Sequence, residues 1–237
     1  MLMKTKMLKK LCALSLSAIM LTGAGICEAA PLISASLPVY AVEAVTPVSS
    51  FRYEENDDGG ITISAFIGNE RNVVIPKKIN GKPVTEIGND AFVNCISLKA
   101  VKIPNGVTRI GYSAFYGCTG LTSVNIPDSV KTIDGNYIQQ GGAFERCTGL
   151  KSVTIPNSVT HIGSCVFKGC KGLADNNGFV VVGNTLYDYL GESKNVIIPD
   201  SVTKISGGAF FFCEGLNSIT IPDSVTYIFG ILQEGIN

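Results

Sequence analysis

The sequence predicts a mostly β repeat solenoid of about six coils of the 23-residue type, with one β-hairpin at its N-terminal end and a second inserted between coils. Three observations carry this. An Ile-Pro pair recurs at Ile75-Pro76, Ile103-Pro104, Ile126-Pro127, Ile155-Pro156, Ile198-Pro199 and Ile221-Pro222, at spacings of 28, 23, 29, 43 and 23 residues. The base period is therefore 23, with insertions of 5, 6 and 20. Aliphatic residues keep fixed offsets within each period, as expected of units that bury their apolar face only by stacking on one another. Finally, charged residues make up 16% of the 237, glycines number 26 and tryptophan is absent, a composition suited to short strands and turns.

The first thirty residues stand outside the repeats. Lys4, Lys6, Lys9 and Lys10 form a positive region, residues 11–26 are apolar, and Cys27-Glu28-Ala29 places small residues at the −3 and −1 positions of a cleavage site. Residues 1–29 read as a secretory signal peptide, with Ala41 as a second possible cleavage point. The apolar run is shorter than the ~20 residues a spanning helix needs, so membrane contact is expected only through this leader. Without it the chain carries 15 basic and 18 acidic residues, a net charge of −3. That balance has no basic patch of the kind nucleic acid requires.

Residues 30–50, with Pro31, Pro38 and Pro47 among small residues, have no periodicity and read as a linker, so the ordered chain is expected to start near Phe51. From there to residue 237 we expect one elongated domain. Phe51-Arg52-Tyr53 and Ile61-Thr62-Ile63 alternate around Asn56-Asp57-Asp58-Gly59-Gly60, a hairpin with a loop of turn formers. An EF-hand frame on this acidic loop puts Ala65 where a bidentate glutamate is needed, so a solvated turn is expected. The second half of this hairpin returns later. Residues 63–76 read ISAFIGNERNVVIP and residues 186–199 read LYDYLGESKNVIIP, with Gly68 matching Gly191 and Asn72 matching Asn195. The insertion at 173–195 is thus a second copy of the opening hairpin, turning at Gly183-Asn184, grafted into an array that it is not expected to break into two domains.

Within a coil, Leu98, Val101 and Ile103 follow the Leu-x-x-Val-x-Ile pattern of a leucine-rich-repeat strand. Strand alternation turns Val101 and Ile103 inward and Ala100 and Lys102 outward. Pro104 ends the strand because it has no N–H for the ladder, and a run from Val107 to Ile110 closes the coil at Gly111. Phe92, Phe115, Phe144, Phe167 and Phe210 share one repeat position and are expected to superimpose as a buried column. Cys95, Cys118, Cys147, Cys170 and Cys213 each lie three residues later; such an odd ladder reads as small buried thiols at a tight corner rather than disulfides. Cys165 is additional, and Cys12 and Cys27 belong to the leader. His161, the single histidine, takes the outward position assigned also to Arg109 and Lys131, so neither a metal site nor a catalytic base is expected.

The run I-P-x-S-V-T-x-I-G-x-x-A-F-x-G-C-x-G-L-x-S-V, found in residues 155–173 and again in 198–219, resembles the BspA-like leucine-rich repeats of bacterial cell-surface and secreted proteins. The likeness covers residues 61–228 and includes the I-N-G-K-P-V-T-E-I-G form at 79–88. It implies an extracellular scaffold, associated in some members with adhesion to host matrix proteins or other microbes, and without a catalytic centre. It supplies no individual binding residues. The last repeat, 219–237, departs from the pattern: after Ile228 the expected Gly-x-x-Ala-Phe-x-x-Cys is replaced by FGILQEGIN.

The function expected is a secreted or cell-surface scaffold for protein or adhesive binding, with no enzyme activity and no cofactor. Its partner would be a host matrix protein, a glycan or another cell-surface protein. The candidate binding face comprises Lys102, Ser123, Asn125, Ser152, Thr154, Ser218 and Thr220 on the outward strand positions, with Ala100 beside them, and Tyr187 and Tyr189 on the inserted hairpin. Two alternatives come from other classes. One is a truncated repeat fragment without independent function, suggested by the last repeat. The other is a hydrolase, which lacks a convergent nucleophile, base and orienting group.

Overall fold

The computed structural model describes residues 44–136, 141–211 and 213–229. The expected signal peptide at 1–29, most of the segment 30–50 expected to be a linker, and the final residues 230–237 lie outside that range. The described residues form one compact unit, whose regular structure is almost wholly short strands joined by turns.

The chain opens with β1 (Phe51–Glu55) and β2 (Ile61–Phe66), followed by β3 (Asn72–Val74), β4 (Lys78–Ile79) and β5 (Lys82–Ile87). The next coils give β6 (Ala100–Lys102), β7 (Arg109–Ile110), β8 (Ser123–Asn125), β9 (Thr132–Ile133), β10 (Gly135–Asn136), β11 (Gly141–Gly142), β12 (Ser152–Thr154) and β13 (His161–Ile162). A second series follows: β14 (Phe179–Val182), β15 (Thr185–Tyr189), β16 (Asn195–Ile197), β17 (Lys204–Ile205), β18 (Ser218–Thr220) and β19 (Tyr227–Ile228).

Each coil contributes one strand to each of two parallel ladders. The strand before Ile-Pro builds the sheet β12-β8-β6-β3, in register so that Val73, Val101, Val124 and Val153 form one row. The second run, read from sequence only as a return turn, builds its own sheet, β1-β2-β5-β7-β9-β13. That row pairs both Arg109 and His161 with Thr132, so the outward position shared with His161 belongs to Thr132 and not to Lys131. Arg109 reaches along the row to Asp134 at 2.6 Å and to Glu86 at 3.3 Å, tying three coils by charge. Two insertions in the period are small hairpins: β4 pairs antiparallel with β5 through Asn80-Gly81, and β10 pairs with β11. Asn80 and Gly81 both take positive φ, as a tight two-residue turn demands.

Gly111 is required for a reason other than bending. A Cβ there would sit 2.8 Å from the backbone nitrogen of Asn89 in the preceding coil, so the coils approach too closely at this corner for any side chain.

The aromatic column forms, with one correction. Phe92, Phe115, Phe144 and Phe167 are fully buried and stack nearly parallel, with centroids 4.9, 5.1 and 5.7 Å apart. Phe66 extends the stack at its N-terminal end, 5.2 Å from Phe92. Phe210 does not join it: Phe167 meets Tyr187 edge-on instead, while Phe210 packs on Tyr189 in a separate apolar cluster. Among the described residues the cysteines are free thiols. Those of Cys118, Cys147 and Cys170 donate at 3.0–3.1 Å to the carbonyls of Phe92, Phe115 and Phe144, each in the preceding coil. Cysteine at this corner thus supplies a weak donor as well as a small side chain. Burial pushes the Cys170 thiol up to about 12.

The described residues remain one unit across the insertion, but the strand ladders are interrupted there. Neither β12 nor β13 pairs with a strand of the second series; the ladders stop there, and β14-β15-β17-β19 and β16-β18 start afresh. The second copy reproduces the first in register. Phe51 faces Phe66 as Phe179 faces Tyr189, and each hairpin carries one bulge, at Ser64 in the first and Tyr187 in the second. Tyr189 donates its N–H to Ala209 as Phe66 does to Ala91.

What differs is the outer face. In the first hairpin it carries Arg52, Glu54, Ser64 and Ala65; in the second the corresponding positions are Val180, Val182, Tyr187 and Asp188, all buried. Val180, Val182 and Tyr187 join the core of the first series, whereas Phe179, Leu186 and Tyr189 join that of the second. The inserted hairpin is therefore apolar on both faces because it is packed on both.

Asp188 completes this junction. In regular coils the N–H two residues after the column phenylalanine donates to the next coil, Gly117 to Glu145 and Arg146 to Lys168. Gly169 has no such coil after it, and its N–H donates to the Asp188 carboxylate at 2.7 Å. Burial pushes the Asp188 pKa above the ordinary 3.8, opposed by the N–H bonds of Gly169 and Tyr189 and by Lys168, while Glu145 adds to the rise. A carboxyl raised in the folded state favours folding most when protonated, so this contribution falls as pH climbs from about 3.8 through the folded value. The stability of the wild type relative to Asp188→Asn, measured by urea unfolding across pH 3 to 7, is accordingly expected to decrease as pH rises. A flat difference would remove Asp188 as the titrating group.

Candidate functional site

The exposed faces of the two ladders that precede Ile-Pro are where side chains vary while the inward positions do not. On β6, β8 and β12 the inward residues Val101 and Val124 are 5% exposed, and their neighbours Lys102, Ser123, Asn125, Ser152 and Thr154 are all exposed. Cross-strand register brings these outward residues into two rows: Asn72, Ala100, Ser123 and Ser152 in one, Val74, Lys102, Asn125 and Thr154 in the other. Ser218 and Thr220 are also exposed but lie on the separate sheet β16-β18, beside Asn195 and Ile197. Ser218 donates there to the Asn195 side chain at 3.0 Å. The outward residues named from the sequence are thus divided between two sheets.

Tyr187 and Tyr189 are a correction. They are 4% and 5% exposed, Tyr187 against Phe167 and Tyr189 between Phe179 and Phe210. Their rings fill the two cores that the hairpin separates, so they offer no contact surface, and truncating them tests folding rather than binding.

A shallow groove runs along the N-terminal end of the face. It is lined by Val45, Val74, Lys102 and Asn125, with the Ile-Pro turns of three coils along its rim. Part of its wall comes from residues assigned to the linker. Thr46 is buried; its N–H donates to the Val74 carbonyl at 3.0 Å, and its hydroxyl accepts the Val74 N–H at 2.9 Å. The ordered chain therefore begins before Phe51, with an extended segment covering the edge of β3. The prolines that suggested a linker are compatible with this, because an edge segment needs only one such pair of bonds. Val74 and Ile197 were missed as face residues, although each directly precedes an Ile-Pro pair exactly as Lys102, Asn125, Thr154 and Thr220 do.

Among the described residues no three histidine, cysteine or acidic side chains come together to hold a metal ion. His161 is exposed on β13. No helix among them is long and apolar enough to cross a membrane.

This geometry of strand, Ile-Pro turn, aromatic column and cysteine corner agrees with sequence comparison. A family model for BspA type leucine rich repeat regions matches residues 65–177 and 180–230 in six copies. The chain belongs to the BspA-type leucine-rich repeat family. The break in that match, at 178–179, falls at the start of the inserted hairpin. Among solved structures, the BspA-type chain is similar to a leucine rich repeat protein of T. pallidum, at 29% identity over 78% of this chain and 86% of that one, with a TM-score of 0.51. It is also similar to a leucine-rich repeat protein from Bacteroides capillosus, at 28% identity over 54% of this chain and 94% of that one (TM-score 0.46). A leucine rich cell surface protein from Faecalibacterium prausnitzii shares 22% identity over 78% and 72% (TM-score 0.28). No curated protein matches the sequence.

Proposed function

We propose that this BspA-type chain is a secreted or cell-surface scaffold that binds a host matrix protein, a glycan or another surface protein, without catalysis. The observation that carries the reading is the face of β6, β8 and β12, where outward residues are exposed in continuous rows over an inward surface given wholly to packing. Apart from Lys102 its side chains are small, and it lacks the aromatic or arginine anchors that dominate many interfaces, so contact is spread over several coils. The leader-like residues 1–29 support an extracytoplasmic site for it.

The test is solid-phase binding of the purified chain to immobilised matrix proteins, glycans and bacterial surface proteins, beside an Asn125→Arg/Ser152→Arg variant. Both positions are exposed, so the variant is expected to fold as the wild type does. Weakening by about tenfold or more, some 1.4 kcal/mol, is the expected result. Equal binding by the two proteins would place the contact elsewhere.

A further inference from the structure

The two copies of the opening module differ at one edge. In the first copy, β3 is followed by Ile75-Pro76 and bordered on its outer side by the segment 44–47, with both backbone groups of Val74 bonded to Thr46. In the second copy, β16 is followed by Ile198-Pro199, and Ile197 stands where Val74 does. The inner side of the strand is used alike: Ile75 donates to Lys102, and Ile198 donates to Thr220. Successive residues of a parallel strand bond to opposite sides, so Ile197, like Val74, directs its N–H and carbonyl away from its partner strand. Among the described residues no strand pairs with β16 on that side. Ile197 is 72% exposed, the most exposed of the large apolar side chains among the described residues, whereas Val74 is partly covered. A strand edge left open with an apolar residue on it is a ready template for another strand.

We propose that the outer edge of β16 is a docking site for an extended peptide segment of a partner protein. The chemistry of its occupant is written in the first copy: an apolar residue followed by threonine, here Val45-Thr46, whose backbone N–H and hydroxyl engage Val74 of the edge while Val45 lines the same groove as Val74. Main-chain bonds supply the attraction and the hydroxyl supplies selectivity, the division of labour found when a peptide adds a strand to a sheet. The site is distinct from the face of β6, β8 and β12, and the two readings fail separately.

The experiment uses the synthetic peptide VEAVTPVSS, the sequence of residues 42–50, titrated into the full chain and followed by calorimetry and by the backbone amide signal of Ile197. One peptide per chain is expected, with the Ile197 amide shifted. An alanine in place of the peptide's threonine should weaken binding about tenfold, and Ile197→Pro, which removes the N–H at an edge position that tolerates proline, should abolish it. The threonine-to-alanine peptide is tested on the unaltered chain, so the outcome stands even if Ile197→Pro folds poorly. Absence of binding at millimolar peptide, indifference to the threonine, or perturbation of Val74 alone would overturn the proposal. Self-association that Ile197→Pro abolishes, in place of one-to-one peptide binding, would give the edge to a second copy and also overturn it.

Discussion

Phe115→Ala is expected to destabilise the fold by ~3–5 kcal/mol. The ring is fully buried and stacked on both faces, 4.9 Å from Phe92 and 5.1 Å from Phe144, so its removal leaves a cavity between three coils at once. Neighbouring rings cannot collapse into the gap, because their coils are held in register by β5-β7-β9 and by the thiol bonds of Cys118 and Cys147 to the column backbone. In a stack where each coil touches only its neighbours, the loss spreads along the array. Urea unfolding measures the total, and hydrogen exchange in β6 and β8 locates it. A loss below about 1 kcal/mol would mean that the column is not what couples the coils.

Tyr187→Ala is expected to cost about 3 kcal/mol and to separate unfolding into two transitions. The ladders do not cross between β12 or β13 and the second series, so cohesion there rests on side chains. Tyr187 lies edge-on to Phe167 at 5.1 Å; Val180 and Val182 pack into the same first cluster, Lys168 lies over the Phe211 ring, the Cys165 thiol donates to the Gly207 carbonyl, and Gly169 donates to Asp188. Without the ring, the stack up to Phe167 and the stack around Phe210 keep their own clusters but lose the aromatic part of their common surface, leaving Val180 and Val182. Calorimetry should resolve two peaks for Tyr187→Ala and one for Tyr187→Phe, which keeps the ring. A single transition in both proteins would show that the junction holds by other means.

The period, strand boundaries and inward residues were legible because stacking repeats the same physical demand in every coil: a β-branched residue inside, a proline at the strand's end, a phenylalanine in the column. The outward rows followed from the same arithmetic. Tyr187 and Tyr189 did not, since a hairpin with one solvent face and a hairpin packed on both faces share their turn and differ only in what lies outside. The clue was present in the comparison of Arg52 and Glu54 with Val180 and Val182, where polar residues of the first copy become valines in the second. Thr46 gave no such clue, because a single pair of edge bonds leaves no periodicity.

By itself, the sequence determined the coil, its phase and the family, since these depend on local alternation and on residues that recur at fixed spacing. Tertiary structure alone decided that the array is two ladders started twice, that Asp188 ends the first by accepting the N–H that a further coil would have accepted, and that β16 keeps an open edge where β3 does not. The reason is physical. Repetition encodes what each coil needs from an identical neighbour, whereas the ends of a stack are defined by the neighbour that is missing, and which backbone groups are left there appears only when the coils are placed together.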